Sequence, residues 1–146
     1  MMKISTKGRY GMRAMVDLAT HYGKGHILLK DIAKRQQLSE RYLEQLVLTL
    51  KAAGLVNSTR GAHGGFTLAK HPSEINLSEI FQALEGPLGL VECVDDPTAC
   101  GRIDSCVTRD VWQELKDSIT SVLASKTLRD LVEKQALNEK KSMYYI

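Results

Sequence analysis

Three cysteines that lie close together in the sequence are the residues best suited to chemistry. Cys93, Cys100 and Cys106 are the only cysteines of the 146-residue chain, and they are separated by six and by five residues. An odd number of thiols within one short stretch favours a metal or redox site over a disulfide framework. Thiolates are soft ligands that suit iron–sulfur clusters and zinc. The spacing alone leaves four alternatives open: an iron–sulfur cluster, a zinc site, a thiol–disulfide switch and inert thiols.

The cysteines lie in a segment, residues 87–106, for which we predict a loop. The segment has no sustained helical or strand periodicity, and it contains Pro87, Pro97 and two glycines. A structureless loop of this length is uncommon in a compact chain unless it has a function. A bound inorganic centre would supply that function, because binding of a metal is coupled to ordering of the chain that ligates it.

The preceding segment, residues 1–86, has the pattern of a winged helix-turn-helix domain that binds DNA. The first predicted helix begins at Ser5, and the second covers Leu29–Arg35. The third runs from Ser39 to about Ala53 and the fourth from Asn76 to Glu85, with Ser5, Ser39 and Asn76 as capping residues. Residues 55–59 and 66–68 are predicted strands, joined by the glycine-rich tip Arg60–Gly65. Two short helices joined by a tight turn are typical of a helix-turn-helix, and the hairpin adds a wing. We therefore predict a mainly α fold with a small β-hairpin wing.

A long dimerisation helix is predicted from Val107, within a C-terminal segment of residues 107–146. Apolar residues repeat along one face of this helix, at Val107, Val111, Leu115 and Ile119. Little chain remains to cover this stripe, so we expect a second copy of the chain to pack on it and form a homodimer. A short helix is predicted near Leu128–Gln135, with Thr127 and Asp130 as its cap.

The charge of the chain is unevenly distributed. Residues 1–70 carry 12 Lys and Arg against four Asp and Glu, while residues 71–146 carry eight against 13. A basic half joined to an acidic half is typical of a module that binds nucleic acid and is attached to another segment. The sequence contains no P-loop, no GxGxxG and no obvious catalytic histidine motif, so we do not expect an enzyme.

Length and composition limit the class further. With 43% hydrophobic and 25% charged residues, the chain can bury a single core. No apolar run reaches the roughly 18 residues of a membrane-spanning helix, and the N-terminal sequence lacks the apolar stretch of a secretory signal. We therefore expect a cytoplasmic protein without a membrane partner.

The sequence resembles the family of IscR, NsrR and CymR transcription regulators over nearly its whole length. The resemblance is carried by MKISTKGRYGMRAMVDLA and by LSERYLEQLVLTLKAAGLVNSTRGAHGGFTLAK, where YLEQL followed by GLV, RGA and GGF is specific. It implies a homodimeric winged-helix repressor or activator with a long dimerisation helix. For Cys93, Cys100 and Cys106, the resemblance to the cluster-bearing branch implies an iron–sulfur cluster, either [2Fe-2S] or [4Fe-4S]. The N-terminal half and the tail are similar to CymR, which lacks these cysteines.

The chain departs from the family at the fourth cluster ligand. Arg109 stands where IscR-like members have a histidine ligand, and Arg9 stands where the NsrR-like branch has a carboxylate on its first helix. Asp104, Asp110, a neighbouring histidine and a small exogenous ligand remain as alternatives, and the sequence does not choose among them.

The predicted recognition helix supplies the residues expected to read a double-stranded DNA operator. Such a helix presents its N-terminal residues to base edges in the major groove. Arg41 suits guanine, Gln45 suits adenine and Glu44 can accept from cytosine. The resemblance supports these three positions, although IscR has a small hydroxyl residue in place of Arg41. The other expected DNA contacts are Ser39 and Tyr42 on the same helix, Arg60 in the minor groove, and Lys3, Lys7, Arg9 and Lys51 on phosphates.

An alternative function is that of a CymR-like repressor of cysteine and sulfur metabolism whose redox-active thiols hold no metal. In this alternative the C-terminal Tyr145-Ile146 docks into cysteine synthase. It is similar to the C-terminal isoleucine with which serine acetyltransferase enters that enzyme.

Overall fold

The structure is a computed structural model that describes residues 3–61, 64–88 and 90–144. Tyr145 and Ile146, the residues predicted to dock into cysteine synthase, lie outside this range. The elements in chain order are α1 (Thr6–Thr20), α2 (Leu29–Gln36), α3 (Glu40–Ala52), β1 (Val56–Thr59), β2 (Gly65–Leu68), a 3-10 turn (Pro72–Glu74), α4 (Leu77–Glu85), α5 (Glu92–Asp95), α6 (Val107–Ala124) and α7 (Leu128–Tyr144).

The predicted mainly α fold with one β-hairpin is confirmed. β1 and β2 form a two-stranded antiparallel sheet in which Val56 pairs with Leu68. Ile27 adds a short bridge beside Phe66. Gly65, which has a φ of +150°, lies so close to the Ile27 carbonyl that a side chain at this position would collide with it.

One hydrophobic core holds the first four helices and the hairpin together. Its fully buried large side chains come from α1, α2, α3, β1, the residue after the 3-10 turn, α4 and the start of α7. They are Met15, Leu18, Ile32, Leu43, Leu46, Val47, Leu50, Val56, Ile75, Ile80 and Leu128. Leu128 belongs to the segment after α6, so the chain returns from α6 to the N-terminal domain. The return is fixed by the Leu77 amide, which donates to the Lys126 carbonyl over 2.9 Å.

Helix α4 packs closely on a glycine face of α1. A side chain at Gly11 would overlap Leu84, and one at Gly8 would overlap the carboxylate of Glu85. The cap predicted at Asn76 is present and forms a capping box: the Glu79 amide donates to Asn76 Oδ1, and the Asn76 amide donates to Glu79 Oε2. This packing places the end of α4 beside the first turn of α1.

Two predictions of secondary structure were wrong, one in the cysteine segment and one at the end of the last helix. The segment 87–106 is not free of structure, because Glu92–Asp95 forms one helical turn, α5. The last helix does not end near Gln135 but continues to Tyr144. The polar run 138–142 contains Glu and Lys, which are strong helix formers, so polarity alone does not end the helix. The predicted cap is present, since the Thr127 amide donates to Asp130 Oδ2 over 2.9 Å.

No helix within the described residues is both long enough and apolar enough to cross a membrane.

Candidate DNA-binding surface and cysteine segment

Helix α3 divides into a buried face and an exposed polar face. Leu43, Leu46, Val47 and Leu50 are buried in the core. Arg41, Glu44 and Gln45, the predicted base-reading residues, are all exposed. Ser39 caps the helix, with its hydroxyl oxygen accepting from the Tyr42 amide over 3.1 Å. The first turns of α3 therefore present arginine, carboxylate and amide groups outward from a rigid base.

The wing places a further arginine on the surface. Arg60 directly follows β1 and is exposed. Ala62 and His63, at the predicted tip, lie outside the described residues. At the end of β1 next to the hairpin tip, Thr59 Oγ1 and His26 Nε2 are 3.2 Å apart, which joins β1 to the loop that follows α1.

Helix α1 contributes an aromatic and cationic cluster that we did not predict as a unit. The rings of Tyr10 and Tyr42 meet edge to face, with centroids 6.2 Å apart. The guanidinium groups of Arg9 and Arg13 lie 5.6 and 5.2 Å from the Tyr10 centroid. Cation–π contacts of this kind orient arginine side chains on an aromatic face. The i, i+4 spacing of Arg9 and Arg13 around a tyrosine was the available signal in the sequence.

A buried carboxylate joins α1 to α2. Asp17 is 4% exposed and accepts two hydrogen bonds from Arg35, over 2.9 and 2.8 Å. Gln36 Nε2 donates to the same carboxylate over 2.9 Å. From the other side, Arg13 donates to the Gln36 carbonyl over 2.6 Å. The hydrogen bond to Asp17 and the attraction of its charge raise the pKa of Arg35.

The Asp17 network ends at the turn between α2 and α3. Gln37, the residue after Gln36, adopts a left-handed conformation with a φ of 56°. A non-glycine residue in this conformation is uncommon and is held by its surroundings. The network therefore holds the C-terminal end of α2, where the turn to α3 begins, against α1. Sequence reasoning missed Asp17, although a carboxylate within an apolar helix face is itself a signal of a buried partner.

The three cysteines occupy different positions around α5 and α6. Cys93 lies in α5 and is half-buried, Cys100 is exposed, and Cys106 is half-buried at the N-cap of α6. Two contacts hold α5 against α6. Arg109 Nε donates to the Cys93 carbonyl over 3.2 Å, and Lys116 Nζ lies 2.9 Å from Asp95 Oδ1.

The environment of Cys106 favours its thiolate. Its sulfur lies 3.2 Å from the Thr108 hydroxyl. The pKa of Cys106 is lowered by this hydrogen bond and by donation from the Arg109 amide at the start of α6. A thiolate at a helix N-terminus also interacts favourably with the helix dipole.

The thiol groups of the three cysteines suit a soft metal ion, but the structure does not bring the three sulfur atoms together as one ligand set. All three are free thiols, with no disulfide among them. Within residues 3–61, 64–88 and 90–144, the structure gathers no group of three or more His, Cys, Asp or Glu side chains suited to hold a metal. Arg109, at the position of the IscR-type histidine, binds the Cys93 carbonyl instead of offering a ligand.

The predicted stripe on α6 is exposed. The solvent-exposed fractions are 77% for Val107, 49% for Val111, 39% for Leu115, 36% for Ile119 and 56% for Val122. No residue of α6 is fully buried. A contiguous apolar stripe of this length is typical of a surface that another chain covers.

Comparison with known proteins places this geometry in context. The family model Rrf2, described as an iron-dependent transcriptional regulator, matches residues 4–134. The transcriptional regulator CymR of Bacillus subtilis is 43% identical over 145 residues, which cover 99% of this chain and 100% of CymR.

Two solved structures are similar throughout. The structure of CymR, the global cysteine regulator of B. subtilis, has a TM-score of 0.77 at 45% identity and covers 92% of this chain and 98% of its own. The structure of IscR from T. potens has a TM-score of 0.75 at 46% identity, covering 92% of this chain and 88% of its own. The resemblance stated from the sequence is thereby confirmed, and it extends about equally to both regulators.

Proposed function

Because this chain belongs to the Rrf2 family of transcriptional regulators, we propose that it is a homodimeric repressor or activator whose affinity for DNA is controlled by an iron–sulfur cluster. Residues 1–86 bind DNA, residues 87–106 hold the cluster, and residues 107–146 form the dimer and return to the core. The observation that carries the proposal is the exposed polar face of α3, set on the buried face of the same helix and flanked by the wing. The protein acts in the cytoplasm.

The exposed face of α3 reads base edges in the major groove. Arg41 has the donor fork for guanine, Gln45 the paired donor and acceptor for adenine, and Glu44 an acceptor for cytosine. Ser39 and Tyr42 lie at the start of the helix, where backbone phosphates pass. Arg60 on the wing enters the adjacent minor groove.

The wing contact is tested by its salt dependence. The Arg60→Ala variant removes one counterion-displacing contact, so the slope of log affinity against log salt falls by about one. The stability of the fold is unchanged, because Arg60 is exposed. The matched control is Arg129→Ala, which removes the same charge from an exposed position on α7. Equal slopes in wild type and Arg60→Ala contradict the wing contact.

The apolar stripe of α6 is the dimer surface. Helical spacing places Val111, Leu115, Ile119 and Val122 on one face. In a two-fold dimer each copy offers the same stripe, which is self-complementary when two helices pack side by side. The two recognition helices are then carried at a fixed separation, as a two-fold symmetric operator requires.

Cys93, Cys100 and Cys106 are the residues that would hold the cluster. A bound cluster would make the protein responsive to oxygen, to nitric oxide or to the availability of iron. The thiolate-favouring position of Cys106 suits ligation. The contacts from Arg109 and Lys116 hold α5, which carries Cys93, against α6, which has Cys106 at its N-cap. Gathering the three thiols requires residues 96–105 to fold inward, which couples the centre to the order of the segment.

The proposal is tested by purification without oxygen, followed by absorption spectroscopy and analysis of iron and sulfide. The expected result is a brown protein with about two to four iron atoms per chain, the range for [2Fe-2S] and [4Fe-4S] clusters. Cys93→Ser, Cys100→Ser and Cys106→Ser each lose most of the iron, because a site with three protein thiolates cannot spare one. Ser105→Ala, a change in the same segment, retains it. A colourless protein with zinc contradicts the cluster.

A second candidate is a cysteine-metabolism repressor whose thiols react without metal. It is favoured by the lowered pKa of the Cys106 thiol and by the similarity to CymR. This candidate predicts that the protein contains negligible iron. It also predicts that one of the three single Ser variants binds DNA as the wild type does, because a disulfide uses only two of the three thiols. In this candidate Tyr145-Ile146 docks into cysteine synthase, and deletion of these two residues abolishes co-elution with that enzyme.

A further inference from the structure

The first turn of α1 is basic and carries no acidic residue of its own. Lys7 and Arg9 are exposed there. Ser5 caps the helix, its hydroxyl oxygen accepting from the Gly8 amide over 3.0 Å. A helix N-terminus is stabilised by negative charge, and basic side chains in its first turn oppose it. The charge that complements this helix end must therefore come from elsewhere in the chain.

Glu85 supplies that charge from the end of α4. Its Oε1 atom accepts from the Ser5 amide over 3.0 Å and also from the Ser5 hydroxyl. The donation fixes the hydroxyl so that its oxygen faces the Gly8 amide. Gly8 is buried, and a side chain at that position would occupy the place of the Glu85 carboxylate. The contact between α4 and α1 is therefore built around this carboxylate.

Glu85 is also the last residue of α4, and only Gly86 separates it from the segment 87–106 that carries the cysteines. Gly86, with a φ of +81°, turns the chain directly after it. Beyond the turn, Pro87, Leu88 and Leu90 face Ile4 across a cleft of about 550 Å³ that Glu85 also lines. A displacement of the segment that follows Gly86 would therefore move Glu85, which accepts the hydrogen bonds from Ser5.

The first turn of α1 in turn contacts the recognition helix. Arg9 lies on the ring of Tyr10, and Tyr10 meets Tyr42 in the first turn of α3. A contiguous set of contacts thus runs from the cysteine segment through Glu85 and Ser5 to the start of α3. Coupling between distant sites travels through such packed contacts, and it is demonstrated only by perturbing one end and measuring the other.

We propose that Glu85 is a positioning residue that transmits the state of the cysteine segment to the DNA-facing first turn of α1. The link to DNA binding rests on the proposed function, whereas the coupling of the segment to α1 rests on the hydrogen bonds between Ser5 and Glu85. With the segment ordered, Glu85 holds Ser5 and the first turn in place. With the segment displaced, Ser5 is released and Lys7 and Arg9 lose their fixed positions.

The test measures amide hydrogen exchange in the full-length, iron-free protein before and after carboxamidomethylation of its thiols with iodoacetamide. The modification adds a polar group at the half-buried Cys93 and Cys106. In the wild type, exchange at Gly8 and Arg9 is expected to rise about tenfold, the size expected for a lost helix cap. Amides in the core of α3, such as Val47, stay protected.

Three variants identify Glu85 as the link. In Glu85→Ala, exchange at Gly8 and Arg9 is already about tenfold faster before modification, and modification adds less than about twofold. Glu85→Gln keeps an oxygen that accepts from Ser5, so its exchange stays within about threefold of wild type. Glu92→Ala removes the same charge from an exposed position in α5 and behaves as wild type.

Two results overturn the inference: thiol modification that leaves Gly8 and Arg9 unchanged in the wild type, and an equal response in Glu85→Ala. A Gln variant as unprotected as the Ala variant also contradicts the hydrogen-bond mechanism. Enrichment of duplexes from a random pool, carried out in parallel with protein purified without oxygen and with iron-free protein, tests the proposed function separately. A wild type that enriches no duplex in either form refutes DNA binding, while the exchange data still decide whether Glu85 couples the segment to α1.

Discussion

Removal of the Asp17 carboxylate is expected to destabilise the whole N-terminal domain. The Asp17 side chain is 3% exposed and accepts from both Arg35 and Gln36. Removing one partner of a fully buried ion pair costs about 3–5 kcal/mol, mainly because the other charge is left without a partner. The Arg35 side chain is 38% exposed, so its guanidinium regains water when Asp17 is lost. We therefore expect Asp17→Ala to lower the free energy of unfolding by about 2–3 kcal/mol.

The measurement is urea unfolding followed by circular dichroism, with the midpoint and slope fitted together. A loss of this size corresponds to a fall of roughly 6–12 °C in Tm for a chain of this length. Arg129→Ala is the matched control, because it breaks an ion pair with Glu133 in which both side chains are largely exposed. Its expected cost is below about 0.5 kcal/mol. An Asp17→Ala variant as stable as this control refutes the argument that the buried network holds α1 and α2 together.

Three further outcomes are expected. Gln45→Ala weakens binding to a selected operator by about 1–3 kcal/mol and relaxes the base preference at one position, as measured by competition with single-base variants of the operator. Leu115→Asp places an unpaired charge in the α6 stripe and converts the dimer to a monomer or to aggregates in sedimentation, whereas Gln113→Glu, on the opposite face by helical spacing, stays dimeric. The pKa of Arg35 is raised by its hydrogen bond to Asp17, so its stabilisation is complete below its ordinary pKa and is lost only as pH rises through the raised value. The difference in unfolding free energy between wild type and Arg35→Gln is therefore expected to stay constant between about pH 7 and pH 10, well below the ordinary pKa of arginine.

The helices and the wing were predictable because their signals are local. Ser5, Ser39 and Asn76 each accept from a backbone amide near the start of the helix that they cap. Apolar spacing separated the buried face of α3 from its exposed face, and the residues predicted to read DNA are exposed. Patterns of this kind depend on a few neighbouring residues and need no knowledge of tertiary contacts.

The contacts that connect the elements were not predictable in the same way. Asp17 with Arg35 and Glu85 with Ser5 are separated by 18 and 80 residues. Nothing local distinguishes such a carboxylate from one on a solvated face, since its burial depends on which elements meet. The end of α7 was missed for a different reason, because a run of Glu, Lys and Asn reads equally well as an exposed helix and as a linker.

The relative placement of the cysteines also lies beyond the sequence pattern. Their types and spacing favour a metal or redox site, whereas the structure distributes them over α5, the following turn and the N-cap of α6. Bringing the three thiols together would order the segment further, at a cost in conformational entropy that metal binding would offset.

The central claim is that the cysteine segment controls DNA binding through a bound iron–sulfur cluster. The most direct measurement uses one preparation purified without oxygen and a duplex that the protein itself enriches from a random pool. Affinity for this duplex and iron content are followed together while a chelator removes the metal. We predict that affinity changes by about tenfold or more in proportion to the iron lost, a coupling of the size usual between linked sites, and that Cys106→Ser begins at the iron-free affinity. Unchanged affinity as the iron is removed, or a preparation that contains no iron although it was purified without oxygen, contradicts the claim.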